Sequence, residues 1–177
     1  MQKNIKISEP VFSTHENRYL RKVLQSGWLT QGKFVEKFEK LFAKKQKSKF
    51  ALATTSCTTA LHLILLSLDI KKGDEVIVPS FTWVSTVNSI LYCGAKPIFV
   101  DISLGNFNAS EEEILKKINK KTRAILIVNL FGYLFDVKKI KKKIQNKIKI
   151  IEDSACATGA SINKSFSGQL WVLNNSL

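Results

Sequence analysis

The chain has 177 residues, 45% of them hydrophobic, and a formal charge of +14. That is enough apolar material for one domain with a core, and too much for a disordered chain. Three scattered cysteines (Cys57, Cys93, Cys156) and two histidines, His15 and His62, argue against a disulfide framework or a metal site. The polar start, Met1 to Lys6, reads as no signal peptide, and the richest apolar stretch, 60–68, is far short of a membrane span. A soluble cytoplasmic protein is expected.

The positive charge raises the question of nucleic acid. The basic residues are almost all lysine, the arginines being Arg18, Arg21 and Arg123. Bidentate recognition of bases and phosphates favours arginine. The lysines at 116, 117, 138, 139 and 141–143 sit where helices would face water, so a solvated surface is the better reading.

In chain order, residues 16–25 read as a helix stopped by Gly27. In the next helix Phe34, Phe38, Leu41 and Phe42 form an amphipathic stripe. A short strand is expected at 50–54 and a buried helix at 58–68, followed by a turn at Gly73 and a strand at 75–78. Residues 82–92 read as a helix ended by Gly94, and 97–100 as a strand. Ser110 and Glu113 make a capping box opening a helix through Ile118. A strand at 124–128, a helix marked by Val137, Ile140 and Ile144, and a strand at 148–151 complete the pattern. Val/Ile strands alternating with helices predict a doubly wound α/β architecture with a mainly parallel sheet flanked by helices.

Ligands of such sheets bind beyond the carboxyl ends of the strands. Three segments there carry suitable residues. Ser56, Cys57, Thr58 and Thr59 open a helix, where free N–H groups and hydroxyls could hold an anion. Plain N-capping by Ser56 or Thr58 explains the same residues. Trp83 follows a strand and could stack on a flat ring or simply be packed. Glu152 and Asp153 close a hydrophobic strand, where a carboxylate needs a partner. A protonated pyridine nitrogen would serve, as would a backbone N–H or a lysine. No G-x-G-x-x-G or Walker loop is present.

In their order these segments are more specific than singly. Ser-Gly-Trp-Leu-Thr-Gln-Gly (26–32), Ser-Cys-Thr-Thr-Ala-Leu-His (56–62) and Gly-Asp-Glu-Val-Ile-Val-Pro-Ser-Phe-Thr-Trp (73–83) begin a series. Gly-Ala-Lys-Pro-Ile-Phe-Val-Asp (94–101), Asn-Leu-Phe-Gly (129–132) and Glu-Asp-Ser-Ala (152–155) continue it. The series resembles the DegT/DnrJ/EryC1/StrS family of sugar aminotransferases over residues 5–168. The resemblance implies the aspartate-aminotransferase-like (fold type I) large domain, pyridoxal 5'-phosphate as cofactor and a homodimer. It also implies transfer of an amino group, mostly from glutamate, to a nucleotide-linked keto sugar. Thr58 and Thr59, with backbone near Ser56 and Cys57, would hold the cofactor phosphate. Trp83 would stack on the ring and Asp153 would pair with its nitrogen.

Two departures stand out. Cys156 takes the place of a Gln or His near the ring hydroxyl in many relatives. After Gly168, relatives continue with a Gly-Asp-rich segment, Phe-Ser-Phe and the Schiff-base lysine, whereas this chain reads Gln-Leu-Trp-Val-Leu-Asn-Asn-Ser-Leu (169–177). Lys164 comes too early to substitute, so no catalytic residue is assigned. Residues 1–168 are read as the N-terminal part of the cofactor-binding large domain and 169–177 as a divergent tail, with a frameshifted gene as the expected cause. An inactive fragment, half of a split enzyme and, less favoured, a basic nucleic-acid-binding module are the functional readings. A dehydratase branch sharing the fold stays open. A sheet cut short is also expected to leave an edge strand and an apolar face uncovered.

Overall fold

The computed structural model describes residues 9–163 and 165–168. Its centre is a four-stranded parallel sheet in the order β2-β1-β3-β4, formed by β1 (Glu75–Pro79), β2 (Lys96–Val100), β3 (Thr122–Val128) and β4 (Lys149–Asp153). Strand alternation divides the core in two. Val76, Val78, Ala124, Leu126 and Ile151 face one side, packed with Leu61, Leu65 and Ile90. Ile77, Ile125 and Ile127 face the other, with Ile114, Ile140 and Ile148. The first layer is supplied by α3 (Cys57–Ser67) and α4 (Val84–Tyr92), the second by α5 (Glu111–Lys117) and α6 (Val137–Lys141).

This layering follows from the strand order. The chain steps from β1 outward to β2, then back across β1 to β3 and on to β4. Crossovers of one hand that step in opposite directions must lie on opposite faces of a sheet. The helices after β1 and β3 therefore leave on opposite sides, opening a crevice at the carboxyl ends of these neighbours. A small antiparallel hairpin, β5 (Ser161–Ile162) with β6 (Ser165–Phe166), follows β4.

The expected strand at 50–54 is not formed. No strand among the described residues lies beside it, and a lone extended segment has no ladder to join. Its Ala53 N–H donates instead to Glu39 Oε1 at 2.8 Å, while Phe50 and Leu52 stay exposed. The helix expected to be buried is so on one face only: α3 buries Leu61 and Leu65 but leaves Leu63 and Leu66 exposed. Half of the expected capping box forms on α5. Ser110 Oγ accepts from Glu113 N–H at 3.5 Å, but the Glu113 carboxylate turns to Lys116 at 3.0 Å, a charged partner one turn away.

The first two helices, α1 (Thr14–Gln25) and α2 (Lys33–Gln46), meet through an edge-on contact of Tyr19 and Phe34. Phe38 and Leu41 of the amphipathic stripe are exposed. β2 and β4 are the sheet edges among the described residues. The lysines at 116, 117, 138, 139 and 141–143 are exposed, and Lys139 and Lys143 both pair with Glu111. No helix among the described residues is long and apolar enough to cross a membrane. Lys164 and residues 169–177, on which the readings of the divergent tail rest, lie outside the described residues.

Candidate functional site

Asp153 is the last residue of β4 and only 7% exposed. It shares the parity of Ile151, so its carboxylate enters the layer of α3 and α4. Both oxygens are engaged. Oδ2 accepts from Thr86 Oγ1 at 2.8 Å; Oδ1 accepts from Ala155 N–H at 3.2 Å and from Cys57 Sγ at 3.5 Å. Thr86, fully buried in α4, is linked in turn to Thr82 Oγ1 at 3.0 Å. Carboxylate, thiol and hydroxyl thus come together from β4, α3 and α4, across as many as 96 residues of sequence.

The α3 terminus shows how the hydroxyls divide their work. Ser56 is the N-cap and exchanges bonds with Thr59: Ser56 Oγ accepts from Thr59 N–H at 3.2 Å and Thr59 Oγ1 from Ser56 N–H at 3.1 Å. The capping reading is therefore correct for Ser56 and not for Thr58, the partner of Ser56 being Thr59. The backbone N–H groups of Cys57 and Thr58 lie in the first turn, with no carbonyl of the helix behind them, and the Thr58 hydroxyl makes no bond among the described residues. An anion placed there would meet donors and the positive end of an eleven-residue helix.

Trp83 is the N-cap residue of α4 and 75% exposed, so the indole is presented at the mouth of the crevice rather than packed. It lies one turn from Thr86, whose N–H donates to the Trp83 carbonyl at 3.0 Å. The Cys57 thiol is pushed up to about 12, first by desolvation, then by the charge of Asp153 and the bond to it, and last by Cys156. As a residue Cys57 is exposed, yet its sulfur lies beside the carboxylate and is bonded to it. Cys156 is close enough to act on Cys57 electrostatically and is itself exposed.

Two residues of this constellation carry no signal of their own in the sequence. Thr86 could have been found as the second member of a Thr-x-x-x-Thr pair spanning the start of α4. Asn129 stands directly after β3, in a motif already noticed but without a role. Its N–H donates to the Asp153 carbonyl at 2.9 Å, and its side chain binds Glu152 Oε2 at 2.9 Å and Ser154 Oγ at 3.0 Å. Chemically the crevice offers an anion site at α3, a flat aromatic face at Trp83 and a buried carboxylate for a cationic N–H.

Residues 11–171 match the DegT/DnrJ/EryC1/StrS aminotransferase family. The chain belongs to that family. It is 39% identical over 161 residues to a GDP-perosamine synthase of Vibrio cholerae, covering 90% of this chain and 44% of the relative. Among solved structures, the E. coli GDP-4-keto-6-deoxy-D-mannose-3-dehydratase with bound hydrated PLP superposes with a TM-score of 0.88 at 32% identity, covering 93% of this chain and 44% of that one. The aminotransferase from Psychrobacter cryohalolentis does so with 0.79 at 34%, covering 86% and 39%. The chain thus spans less than half the length of these family members. Its parallel sheet with helices on both faces is the fold type I architecture of the neighbours, incomplete relative to them.

Proposed function

We propose that this chain forms the N-terminal part of the cofactor site of a pyridoxal-phosphate-dependent aminotransferase acting on a nucleotide-linked keto sugar, with glutamate as amino donor and a homodimer as the working form. Residues 1–168 belong to the cofactor-binding large domain in this reading. The observation that carries it is the convergence of Cys57, Thr86 and Asp153 from three elements at one crevice. When bound, pyridoxal phosphate supplies an electron-withdrawing ring that stabilises negative charge beside the transferred nitrogen. The residues fit such a group. The first turn of α3, with Cys57 and Thr58 N–H and the Thr58 hydroxyl, holds the phosphate, and Ser56 and Thr59 keep that turn in shape. Trp83 covers one ring face and excludes water from it. Asp153 holds a proton at the ring nitrogen, while Thr86, Cys57 and Ala155 N–H fix the carboxylate. Cys156 would stand near the ring hydroxyl.

Pyridoxamine 5'-phosphate tests this in the 177-residue chain because it needs no lysine. Fluorescence titration should show saturable binding, weakened about 10- to 100-fold by Asp153→Asn, as expected for loss of a charge-assisted bond. An affinity unchanged by Asp153→Asn refutes the assignment. The likeness to a dehydratase supports a second reading, dehydration of a keto-deoxy sugar on the same cofactor. Assay of the chain joined to a relative's C-terminal half distinguishes the two by product: amino sugar or deoxygenated sugar.

A further inference from the structure

Glu152 precedes Asp153 and points to the opposite face of the sheet. It is 6% exposed, and its Oε1 has no partner among the described residues. Among the described residues its carboxylate is bound through Oε2, which accepts from Asn129 Nδ2 at 2.9 Å and Gly168 N–H at 3.3 Å. Asn129, 1% exposed, binds three successive residues at the end of β4: the Glu152 side chain, the Asp153 carbonyl and the Ser154 hydroxyl. Its Oδ1 accepts from Phe135 N–H at 2.9 Å. The β3–β4 ladder has its last pair at Val128 and Asp153, and β4 is an edge among the described residues. The end of β4 is therefore held from the β3 side, where the backbone ladder runs out at the residue whose carboxylate must be aimed.

We propose that Glu152 and Asn129 form a positioning pair that fixes the Asp153 carboxylate at the crevice. The inference rests on the cofactor reading above. Asn129 stands one residue beyond the last ladder pair and reaches back to Glu152 and across to Ser154, bracketing Asp153. Glu152, tied to Gly168 N–H as well, also anchors the exit of the β5–β6 hairpin to the end of β4. A buried carboxylate with an unpartnered oxygen is costly, so the amide of Asn129 is its principal donor and the two residues act as a unit.

A reciprocal exchange separates positioning from plain structural support, with pyridoxamine 5'-phosphate as probe and thermal melts as the check on folding. Glu152→Gln keeps an acceptor for both donors and should bind within about 3-fold of the unaltered chain. Asn129→Asp sets two carboxylates face to face and should weaken binding at least about 10-fold, a change of roughly 1.4 kcal/mol. The double variant Asn129→Asp/Glu152→Gln restores a donor facing an acceptor with reversed polarity, at the expense of the Gly168 N–H bond, and should bind at least about 3-fold more tightly than Asn129→Asp. Should Asn129→Asp fail to fold, the double variant must still fold and bind. A double variant no better than Asn129→Asp, or an Asn129→Asp chain that binds like the unaltered one, overturns the pair. If the unaltered chain binds no pyridoxamine phosphate, the cofactor reading fails and the positioning role with it. If the unaltered chain binds and Asp153→Asn weakens it while the exchange has no effect, the positioning role fails alone.

Discussion

Replacing Thr86 by Val tests the buried end of the site most directly. The two side chains have nearly the same shape, so no cavity is made and the change isolates the hydroxyl. That hydroxyl donates to Asp153 Oδ2 at 2.8 Å, from a position with no solvent exposure. A hydrogen bond to a charged group contributes about 1.5–3 kcal/mol, and a buried group left unsatisfied suffers the larger loss. Asp153 keeps the donors Ala155 N–H at 3.2 Å and Cys57 Sγ at 3.5 Å, the longer and weaker of its bonds. Thr82, 3.0 Å from the Thr86 hydroxyl, loses a partner too. The expected cost is about 2 kcal/mol, which lowers the melting temperature by about 4–8 °C for a domain of this size. Circular dichroism melts of Thr86→Val, Asp153→Asn and the double variant provide a thermodynamic cycle, and Thr86→Ser should regain most of the loss. Coupling of about 1 kcal/mol or more is expected between the two positions. A Thr86→Val chain within about 0.5 kcal/mol of the unaltered one, or strictly additive variants, would refute the geometry.

Cys57 should alkylate slowly at pH 8, and faster in Asp153→Asn, because the thiolate is the nucleophile and the fold holds the thiol up to about 12; mass spectrometry of iodoacetamide-treated chain checks it, and equal rates would count against the contact. The folded value lies above the ordinary 9.0, so the associated stability is present below about pH 9 and is lost as pH rises toward about 12. Glu111 is bound by Lys143 at 2.6 Å and Lys139 at 3.1 Å. These bonds to Lys143 and Lys139, opposed by desolvation, hold its carboxyl below the ordinary 4.5. Its stabilisation is therefore present above that pH and disappears as the carboxyl protonates on acidification. Glu111→Gln should cost about 0–1 kcal/mol at neutral pH, with no difference from the unaltered chain in acid melts. Leu126→Ala, at the fully buried centre of β3, should cost about 2–5 kcal/mol in urea unfolding; a cost below about 1 kcal/mol would contradict the packing of the sheet.

Most of the fold was legible because its causes are local. Val76 to Val78 and Ala124 to Val128 are continuous apolar runs, the mark of strands buried on both faces. Each is bounded by a turn or a capped helix, so the alternation could be read without a partner in view. The segment 50–54 has a comparable composition and failed, because strand formation depends on a neighbour that the sequence cannot supply from within the segment. The half-formed capping box at Ser110 failed for a related reason: the Ser110 N–H donates to the distant Asp101 carbonyl at 2.8 Å, leaving the Glu113 carboxylate to Lys116.

The site divides along the same line. Ser56, Cys57, Thr58, Thr59, Trp83, Asp153 and Cys156 were legible as candidates because each lies at or near the end of a strand or the start of a helix, and such ends carry the backbone groups and polar side chains that ligands use. Their sequence determined by itself which family the chain belongs to and which residue types stand at the crevice. What the sequence left undecided was pairing: that Thr86 and Cys57 meet Asp153, that Ser56 and Thr59 serve each other, and that Asn129 joins Glu152. The contacts of Thr86 and Cys57 with Asp153 span 67 and 96 residues, and only the stacking of α3 and α4 on one face of the sheet brings these groups within hydrogen-bonding distance.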